Sequence, residues 1–280
     1  MFFLRDRRIR VTKRLRRQSI LWKLDIPLGR YALIADNHGY LDVYRETVHE
    51  ILETHEDIKG IFHLGDMFGT QTSVEDCIDC LRFTIAHNIM AIRGNHCRKV
   101  LQCDTKHRYS RRVNEFDKRL NRSLKEQPDL YENLLRFPDK IETECFDLVH
   151  CCAAKPFYSN NGYSNEMYLM HNMISKPVFA SHDHKFRMQT RNGIGIKRID
   201  LELDKEIEVS QPCVVSVPTM NYSREKHKYL HAYLILAVQD NCAVSIRAHH
   251  LKRNFVRTNT GHIMKKVYPD HIRIRDILWT

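Results

Sequence analysis

The chain has 280 residues, of which 42% are hydrophobic and 28% charged, and this composition excludes a disordered or fibrous protein. Its length suffices for one large domain or two small ones with a substantial core. No apolar stretch reaches the roughly 18–20 residues that a membrane-spanning helix needs. The opening MFFLRDRRIR also lacks the continuous apolar region of a secretory signal. We therefore expect a cytoplasmic protein without a transmembrane segment.

The nine cysteines are scattered along the chain and odd in number. Secreted proteins that rely on disulfides usually carry even sets of cysteines at regular spacings. The sequence therefore predicts reduced thiols in place of a disulfide framework, in agreement with an intracellular location.

The net charge of +11 suggests an acidic partner or substrate, and the excess is concentrated near the N-terminus. Two interpretations of residues 5–17 stay open. The favoured one is a solvated surface, because the segment has no recognisable nucleic-acid motif. The other is a segment that binds nucleic acid or another anionic partner. Eight of the first 17 residues are basic: Arg5, Arg7, Arg8, Arg10, Lys13, Arg14, Arg16 and Arg17.

Strand and helix patterns alternate over the first third of the chain, after a basic lead-in that is compatible with a helix over 11–22. Short apolar runs at 31–35, 60–64 and 89–92 predict buried strands, and helical spacing of apolar residues predicts helices at 41–54 and 73–86. This order is typical of a parallel sheet flanked by helices, whose functional groups gather beyond the carboxyl ends of the strands.

The remainder of the chain predicts a helical excursion followed by a second sheet. The charged segment 101–137 is expected to be helical, either as a cap over a site or as a plain solvated helix pair, with the second favoured. A further helix is expected at 166–174. The predicted strands are 141–145, 146–150, 177–180, 194–199, 206–209, 213–217, 230–238 and 243–249.

Side chains that bind metal ions follow several of these predicted strands. Carboxylate oxygens, an amide oxygen and neutral imidazoles together suit divalent ions such as manganese, iron, zinc and nickel. Two such ions a few ångströms apart can activate water and clamp a phosphoryl group. The candidate ligands are Asp36, His38, Asp66, Asn95, His150, His182 and His184.

The ordered motifs D-x-H, G-D, G-N-H, H and H-x-H over residues 31–184 resemble those of the calcineurin-like metallophosphoesterase superfamily. The resemblance implies an α/β fold, namely a four-layer α/β/β/α sandwich with a helical insertion. It places the domain at residues 26–255, with the insertion near 101–137. Residues 1–25 would form a basic extension and residues 256–280 a C-terminal tail.

The resemblance also implies a role for each ligand in a centre with two divalent ions, most often Mn²⁺, with Fe, Zn or Ni as alternatives. One ion would be held by Asp36, His38 and His184, the other by Asn95, His150 and His182, with Asp66 bridging both.

Other residues of the motifs carry further expectations. The resemblance implies that His96, directed away from the ions, assists the leaving group, and Arg98 is a candidate phosphate contact. Three departures from the family pattern lie beside the candidate ligands. Cys97 stands where an acid is usual, Cys151 follows its histidine in place of glycine, and Ser181 replaces the glycine that opens the last motif.

The resemblance implies a phosphoesterase that cleaves a phosphomonoester or a small phosphodiester such as a nucleotide, by attack of a hydroxide held between the ions. The basic segment motivates an alternative, a nuclease or nucleic-acid end-processing phosphatase. A third hypothesis is a scaffold that keeps the fold without the chemistry, although the full ligand set argues against it.

Overall fold

The computed structural model describes most of the domain and leaves both ends of the chain undescribed. Predictions for the basic segment 5–17, most of the helix at 166–174 and the tail 256–280 fall outside the described residues. The described ranges are 20–103, 113–151, 174–192, 195–209, 212–220, 222–223, 228–229 and 231–251.

The helices and strands alternate in the first half of the chain, and strands dominate the second half. The helices are α1 (Leu41–Thr54), α2 (Val74–Ala86), α3 (Asn95–Leu101), α4 (Glu115–Lys125) and α5 (Pro128–Arg136), with a short 3₁₀ turn at Asp240–Cys242. The strands are β1 (Leu21–Lys23), β2 (Gly29–Ile34), β3 (Ile58–His63), β4 (Met90–Ala91), β5 (Lys140–Glu142), β6 (Asp147–Val149), β7 (Val178–Ala180), β8 (Arg187–Asn192), β9 (Gly195–Asp200), β10 (Glu206–Glu208), β11 (Cys213–Ser216), β12 (Tyr222–Ser223), β13 (Lys228–Tyr229), β14 (Ala232–Val238) and β15 (Val244–His250).

The first sheet has the strand order β10-β15-β14-β2-β3-β4. Strands β2, β3 and β4 pair in parallel, and helices α1 and α2 connect them. This confirms the strand–helix alternation that the sequence predicts. Since the three strands run the same way, the residues that follow them reach one edge of the sheet.

The second sheet has the order β1-β5-β6-β7-β11-β8-β9 and packs face to face against the first. Strands β6, β7 and β11 are parallel, so their carboxyl ends also share one edge. Strand β1, at Leu21–Lys23, pairs with β5, although these residues were expected in the N-terminal extension. Buried side chains of both sheets meet between them, among them Leu33, Phe62, Phe146, Phe179 and Leu234.

Helices α1, α2, α4 and α5 cover the outer face of the first sheet with a second apolar core. Hydrogen-bonded caps begin two of them: the side chains of Ser73 and Asn114 accept from the backbone N–H groups three residues on, those of Asp76 and Asp117. Helices α4 and α5 bury Leu120, Leu124 and Leu134 in this core, so the described part of the insertion extends the helical layer. Two stacked sheets under helices confirm the α/β class. Within the described residues, no helix is both long and apolar enough to cross a membrane.

A disulfide between Cys145 and Cys242 contradicts the prediction that all the cysteines are reduced. Cys145 lies between β5 and β6, and Cys242 lies in the 3₁₀ turn between β14 and β15, so the bond joins the two sheets. The two residues are 97 positions apart. Spacing along the chain could not reveal the pair, because the fold alone brings them together.

We predict that breaking this bond destabilises the protein, because a bond that closes a long loop restricts the unfolded chain. Cys145→Ser should lower the free energy of unfolding by about 2–5 kcal/mol, measured by urea denaturation under oxidising conditions. Reductant should destabilise wild type similarly and leave Cys145→Ser unchanged. Equal stability of reduced and oxidised wild type would contradict the prediction.

Candidate metal centre

The expected ligands converge at one end of the sandwich because each of them follows a strand. Asp36 lies after β2, Asp66 after β3 and His150 after β6. Asn95 begins α3 shortly after β4, and His182 with His184 follows β7. The ligands therefore come from both sheets and meet where the carboxyl ends of parallel strands face one another.

Five of these residues adopt the left-handed backbone region that non-glycine residues avoid. A non-glycine residue there costs roughly 1–3 kcal/mol, so the surrounding structure must hold it in place. Part of that support comes from the backbone, since the His38 N–H donates to Asp66 O at 3.0 Å. The φ angles are 56° at Asp36, 48° at His38, 52° at Asp66, 76° at His182 and 55° at His184.

Asp36, His38 and His184 form one group. The Nε2 atoms of His38 and His184 lie 3.2 Å apart. The Oδ1 atom of Asp36 lies 3.9 Å from Nε2 of His184. Oδ2 of the same carboxylate accepts a hydrogen bond from the backbone N–H of His182 at 3.2 Å, so the second oxygen is fixed and the first faces the imidazoles.

Asp66, Asn95, His150 and His182 form a second group beside the first. Nε2 of His150 lies 3.2 Å from Oδ2 of Asp66 and 3.0 Å from Oδ1 of Asn95. Nδ1 of His182 lies 4.0 Å from the same Asp66 oxygen. Ligand atoms of Asp66 also lie within 4.8 Å of those of His38, which places this carboxylate between the two groups.

The donor set and its geometry fit divalent ions. Oδ1 of Asp36 is fully buried, yet no donor within the described residues hydrogen-bonds to it. A buried carboxylate oxygen without a partner is costly unless a cation satisfies it. Imidazole nitrogens about 2.0–2.1 Å from one zinc ion lie roughly 3 Å apart when they are neighbours, as the nitrogens of His38 and His184 do.

The ring of His150 is held in the orientation that a metal ligand needs. Its Nδ1 atom lies 2.9 Å from both Leu64 O and Ser181 Oγ. Since a carbonyl oxygen only accepts, Nδ1 carries the proton and directs Nε2 to the cluster. The Ser181 hydroxyl in turn donates to Leu64 O at 2.7 Å. The serine that departs from the family pattern thus braces a ligand.

Glycine is required where the Gly94 backbone passes Asp66. A Cβ atom at Gly94 would lie 2.2 Å from both the backbone N and Oδ1 of Asp66. No side chain fits at that distance. Gly65, with φ of 96°, is constrained too, since its Cβ would lie 2.8 Å from Nδ1 of His150.

Burial and the clustered charges shift the pKa values of the site in opposite directions. Burial disfavours a charged His150, but the carboxylate of Asp66, aided by Asp36, outweighs it and raises the pKa of His150 to about 9. Burial alone would raise the pKa of Asp66, yet the charges of His150 and His96 hold it well below its usual range. In the metal-free protein, His150 and Asp66 therefore form an ion pair.

His96 lies beside the cluster, whereas the sequence suggested that it is directed away. Its ring forms an edge contact with the ring of His38, with centroids 5.1 Å apart, and it groups with His38 and Asp66. The backbone N–H of His96 donates to Oδ1 of Asp66 at 2.9 Å. Burial lowers the pKa of His96 to about 4 despite the opposing charge of Asp66, so the ring is neutral near pH 7.

Arg98, a candidate phosphate contact, forms an ion pair with a buried carboxylate. Its Nη2 atom lies 2.5 Å from Oδ1 of Asp139, and its side chain is 9% exposed. Arg93 contacts the same carboxylate through two hydrogen bonds, of 2.9 and 2.7 Å. The sequence could not reveal this pairing, because Asp139 lies beyond the helical insertion.

Two buried residues next to the ligands, Asn37 and His63, were not assigned a function from the sequence. Asn37, between Asp36 and His38, is fully buried and bonds to His63. His63 belongs to none of the ligand groups found among the described residues. Burial lowers the pKa of His63 to about 4.

We predict that Mn²⁺ binding strengthens with pH, because the ion must displace the proton of His150. Below the raised pKa of about 9, the apparent affinity should rise about tenfold per pH unit. The same proton stabilises the metal-free protein fully below about pH 6.5, the unfolded pKa, and its contribution is lost as pH rises through about 9. Calorimetric titration between about pH 6.5 and 8.5 measures the slope.

A His150→Asn variant provides the control for that slope. It should bind Mn²⁺ more weakly and with a shallower dependence on pH, because the displaced proton is gone. An affinity of wild type that stays flat across this pH range would contradict the prediction.

Comparison with known proteins identifies the family and the fold of the chain. A family model described as calcineurin-like phosphoesterase matches residues 29–251. Among solved structures, a metallophosphoesterase from Sphaerobacter thermophilus aligns with 15% identity over 80% of this chain and 89% of its own, with a TM-score of 0.59. A hypothetical protein from Pyrococcus horikoshii OT3 aligns with 14% identity over 79% and 88%, with a TM-score of 0.51. No curated protein matches the chain.

Proposed function

The chain belongs to the calcineurin-like phosphoesterase family and is a metal-dependent phosphoesterase. From this premise we propose that it uses two divalent ions, with Mn²⁺ as the favoured metal, to hydrolyse a phosphomonoester or a small phosphodiester. The observation that carries the proposal is the buried Asp36 oxygen without a donor, facing two imidazole nitrogens beside a second ligand group. Such an arrangement suits a cation better than any hydrogen-bond network.

The ligands divide into two sets around Asp66 in this proposal. One ion would be held by Asp36, His38 and His184, the other by Asn95, His150 and His182, and Asp66 would be shared. Divalent ions held in this way lower the pKa of water and neutralise the charge that develops on a phosphoryl group. The protein contributes fixed positions, since backbone bonds and Ser181 already hold the ligands in place.

His96 acts on the substrate side of this centre. Its buried ring is neutral in the free protein, and a neutral imidazole carries one N–H that can donate to a phosphoryl or leaving-group oxygen. The negative charge of a bound phosphate favours protonation, so substrate binding itself prepares the ring to assist departure of the leaving group. The Asp66 carboxylate accepts a hydrogen bond from the backbone N–H of His96 and so fixes the position of this residue.

We predict that Asp66→Ala abolishes phosphoesterase turnover, because it removes the shared ligand. With added Mn²⁺, hydrolysis of an aryl phosphomonoester and the matching diester should fall by at least about 100-fold. The ratio of monoester to diester turnover in wild type then distinguishes a phosphatase from a phosphodiesterase. The matched control is Asp57→Ala, which removes an exposed aspartate paired with Arg30 and should leave turnover unchanged.

Three outcomes bear on the proposal differently. Equal turnover of wild type and Asp66→Ala would contradict the metal centre. Turnover of neither substrate by metal-loaded wild type would point to a narrow substrate requirement. No turnover and no metal binding in wild type would favour the scaffold hypothesis.

A second candidate, action on nucleic acid, is favoured by the point at which the basic segment joins the fold. Strand β1 is parallel to β5, and β5 is antiparallel to β6, so the first residue of β1 lies at the same edge as His150. The backbone N–H of Ile20 donates to Oδ2 of Asp139 at 2.8 Å, and Asp139 also binds Arg93, just before Asn95. Ile20, the described residue nearest in sequence to the basic segment, therefore lies at the edge that bears the ligands.

We predict that deleting residues 1–19 leaves turnover of the aryl substrate within about twofold of wild type and weakens binding of a single-stranded oligonucleotide. Each lost phosphate contact also flattens the salt dependence of binding. The control replaces the eight basic residues by glutamine in the full-length chain. It should show the same turnover and the same weakened oligonucleotide binding as the deletion. Equal loss of turnover and oligonucleotide binding would contradict a separate docking role.

A further inference from the structure

His63 and Asn37 form a buried polar pair that joins two ligand-bearing loops without binding a metal ion. His63 ends β3, beside Ile34 at the end of β2. Asn37 lies in the loop after β2, and both side chains are fully buried. A buried polar pair at this position needs a structural reason, because burial of polar groups is costly unless they are hydrogen-bonded.

The hydrogen bonds around His63 determine which nitrogen carries the proton. The backbone N–H of Gly65 donates to Nδ1 of His63 at 3.1 Å. Nδ1 is therefore an acceptor, and the neutral ring carries its proton on Nε2. Nε2 donates in turn to Oδ1 of Asn37 at 2.9 Å. Each ring nitrogen thus bonds to one of the two loops.

The orientation of the Asn37 amide follows from the same bonds. Its oxygen faces the Nε2–H of His63, so its Nδ2 group is directed away and donates to Sγ of Cys80 at 3.3 Å. Cys80 lies on α2 and is also fully buried. The chain of bonds therefore runs from Gly65 through His63 and Asn37 to the helix behind the site.

The two loops joined in this way carry three ligands with unfavourable backbone angles. Asp36 and His38 flank Asn37, and Asp66 follows Gly65. Backbone bonds also connect the loops, since Asp36 N–H donates to Gly65 O at 3.1 Å. The His63–Asn37 pair is a buried side-chain connection between the two loops. Its loss would leave their relative position to the backbone bonds and to the exposed hydrogen bond from Tyr40 to Gln71.

We propose that His63 and Asn37 are positioning residues that set the distance between the two metal positions, by holding the loop of Asp36 and His38 against the loop of Asp66. The inference rests on the proposed function in requiring two ions at this site, and it does not depend on which ester is cleaved. Neither residue touches the ions or the substrate, so both act through the ligands.

The test compares His63→Phe with His63→Gln. Phenylalanine keeps a buried ring and loses both hydrogen bonds, whereas glutamine retains an N–H group that can reach Asn37. The matched control is His55→Phe. His55 is another buried histidine, lies at the C-terminal end of α1 and forms a hydrogen bond with Tyr233. Because α1 begins beside the site and rises about 1.5 Å per residue, its 14 residues place His55 roughly 20 Å away.

The readouts are calorimetric titration with Mn²⁺ and the electron paramagnetic resonance spectrum of the loaded protein, both without substrate. Loss of a residue that orients metal ligands typically weakens affinity 10–100-fold. We expect His63→Phe to bind at least one Mn²⁺ about 10–100-fold more weakly and to lose the exchange-coupled signal of two neighbouring ions. His63→Gln should keep more of the Mn²⁺ affinity and of the coupled signal than His63→Phe does. His55→Phe should leave the affinity and the signal unchanged even if it lowers thermal stability.

A double-mutant cycle provides a second measure for the case in which His63→Phe is poorly folded. If the pair acts as a unit, Asn37→Ser alone should weaken Mn²⁺ binding. The loss of Mn²⁺ binding free energy in the double variant with His63→Gln should then be smaller than the sum of the two single losses. Wild-type affinity and an unchanged coupled signal in His63→Phe would overturn the inference, as would strict additivity in the cycle.

The same titration separates this inference from the proposed function. If wild type binds two coupled Mn²⁺ ions and hydrolyses neither ester, the proposed activity fails, and the comparison of variants still decides the role of His63. If wild type binds no pair of ions, both fail together, because no metal positions exist to be spaced.

Discussion

Two carboxylates, those of Asp36 and Asp66, are buried on either side of the His150 ring, at 4.0 and 3.2 Å from its nitrogens, and the rest of the site depends on compensating their charge. An unpaired buried carboxylate costs several kcal/mol, and two at one place repel each other. In the metal-free protein, a protonated His150 offsets part of this charge, which is why its pKa is raised to about 9. Divalent ions offset more of it, so affinity for cations follows directly from burial of the acids.

The fold supplies this arrangement through strand direction. Parallel strands in each sheet end at the same edge, so short loops from both sheets meet there. The left-handed backbone at Asp36, His38 and Asp66 turns these side chains inward, and hydrogen bonds between the loops hold the strained residues. Gly65 and Gly94 allow close packing that a side chain would prevent, and Ser181 and His63 add hydrogen bonds that hold the loops. The hydrogen bonds that hold these strained residues thus order the ligands before any ion binds.

The spacing of apolar residues predicted the strands and helices whose formation depends on residues close in sequence. The apolar runs before Asp36 and Asp66 have the composition of buried strands, so β2, β3 and their connecting helices followed from the sequence. Strand β1 has three residues and pairs with a strand more than a hundred positions away, so no local signal marks it. Strand β8 reads RMQTRN and lacks an apolar run. The Cys145–Cys242 bond and the pairing of Arg98 with Asp139 likewise depend on contacts that only the tertiary structure creates.

We propose that two ions lie side by side on Asp66. Anomalous diffraction from crystals grown with Mn²⁺ tests it most directly, since manganese peaks locate the ions independently of activity. We expect two peaks about 3.5–4 Å apart, one among Asp36, His38 and His184 and the other among Asn95, His150 and His182. A single peak, or manganese bound away from Asp66, would contradict it.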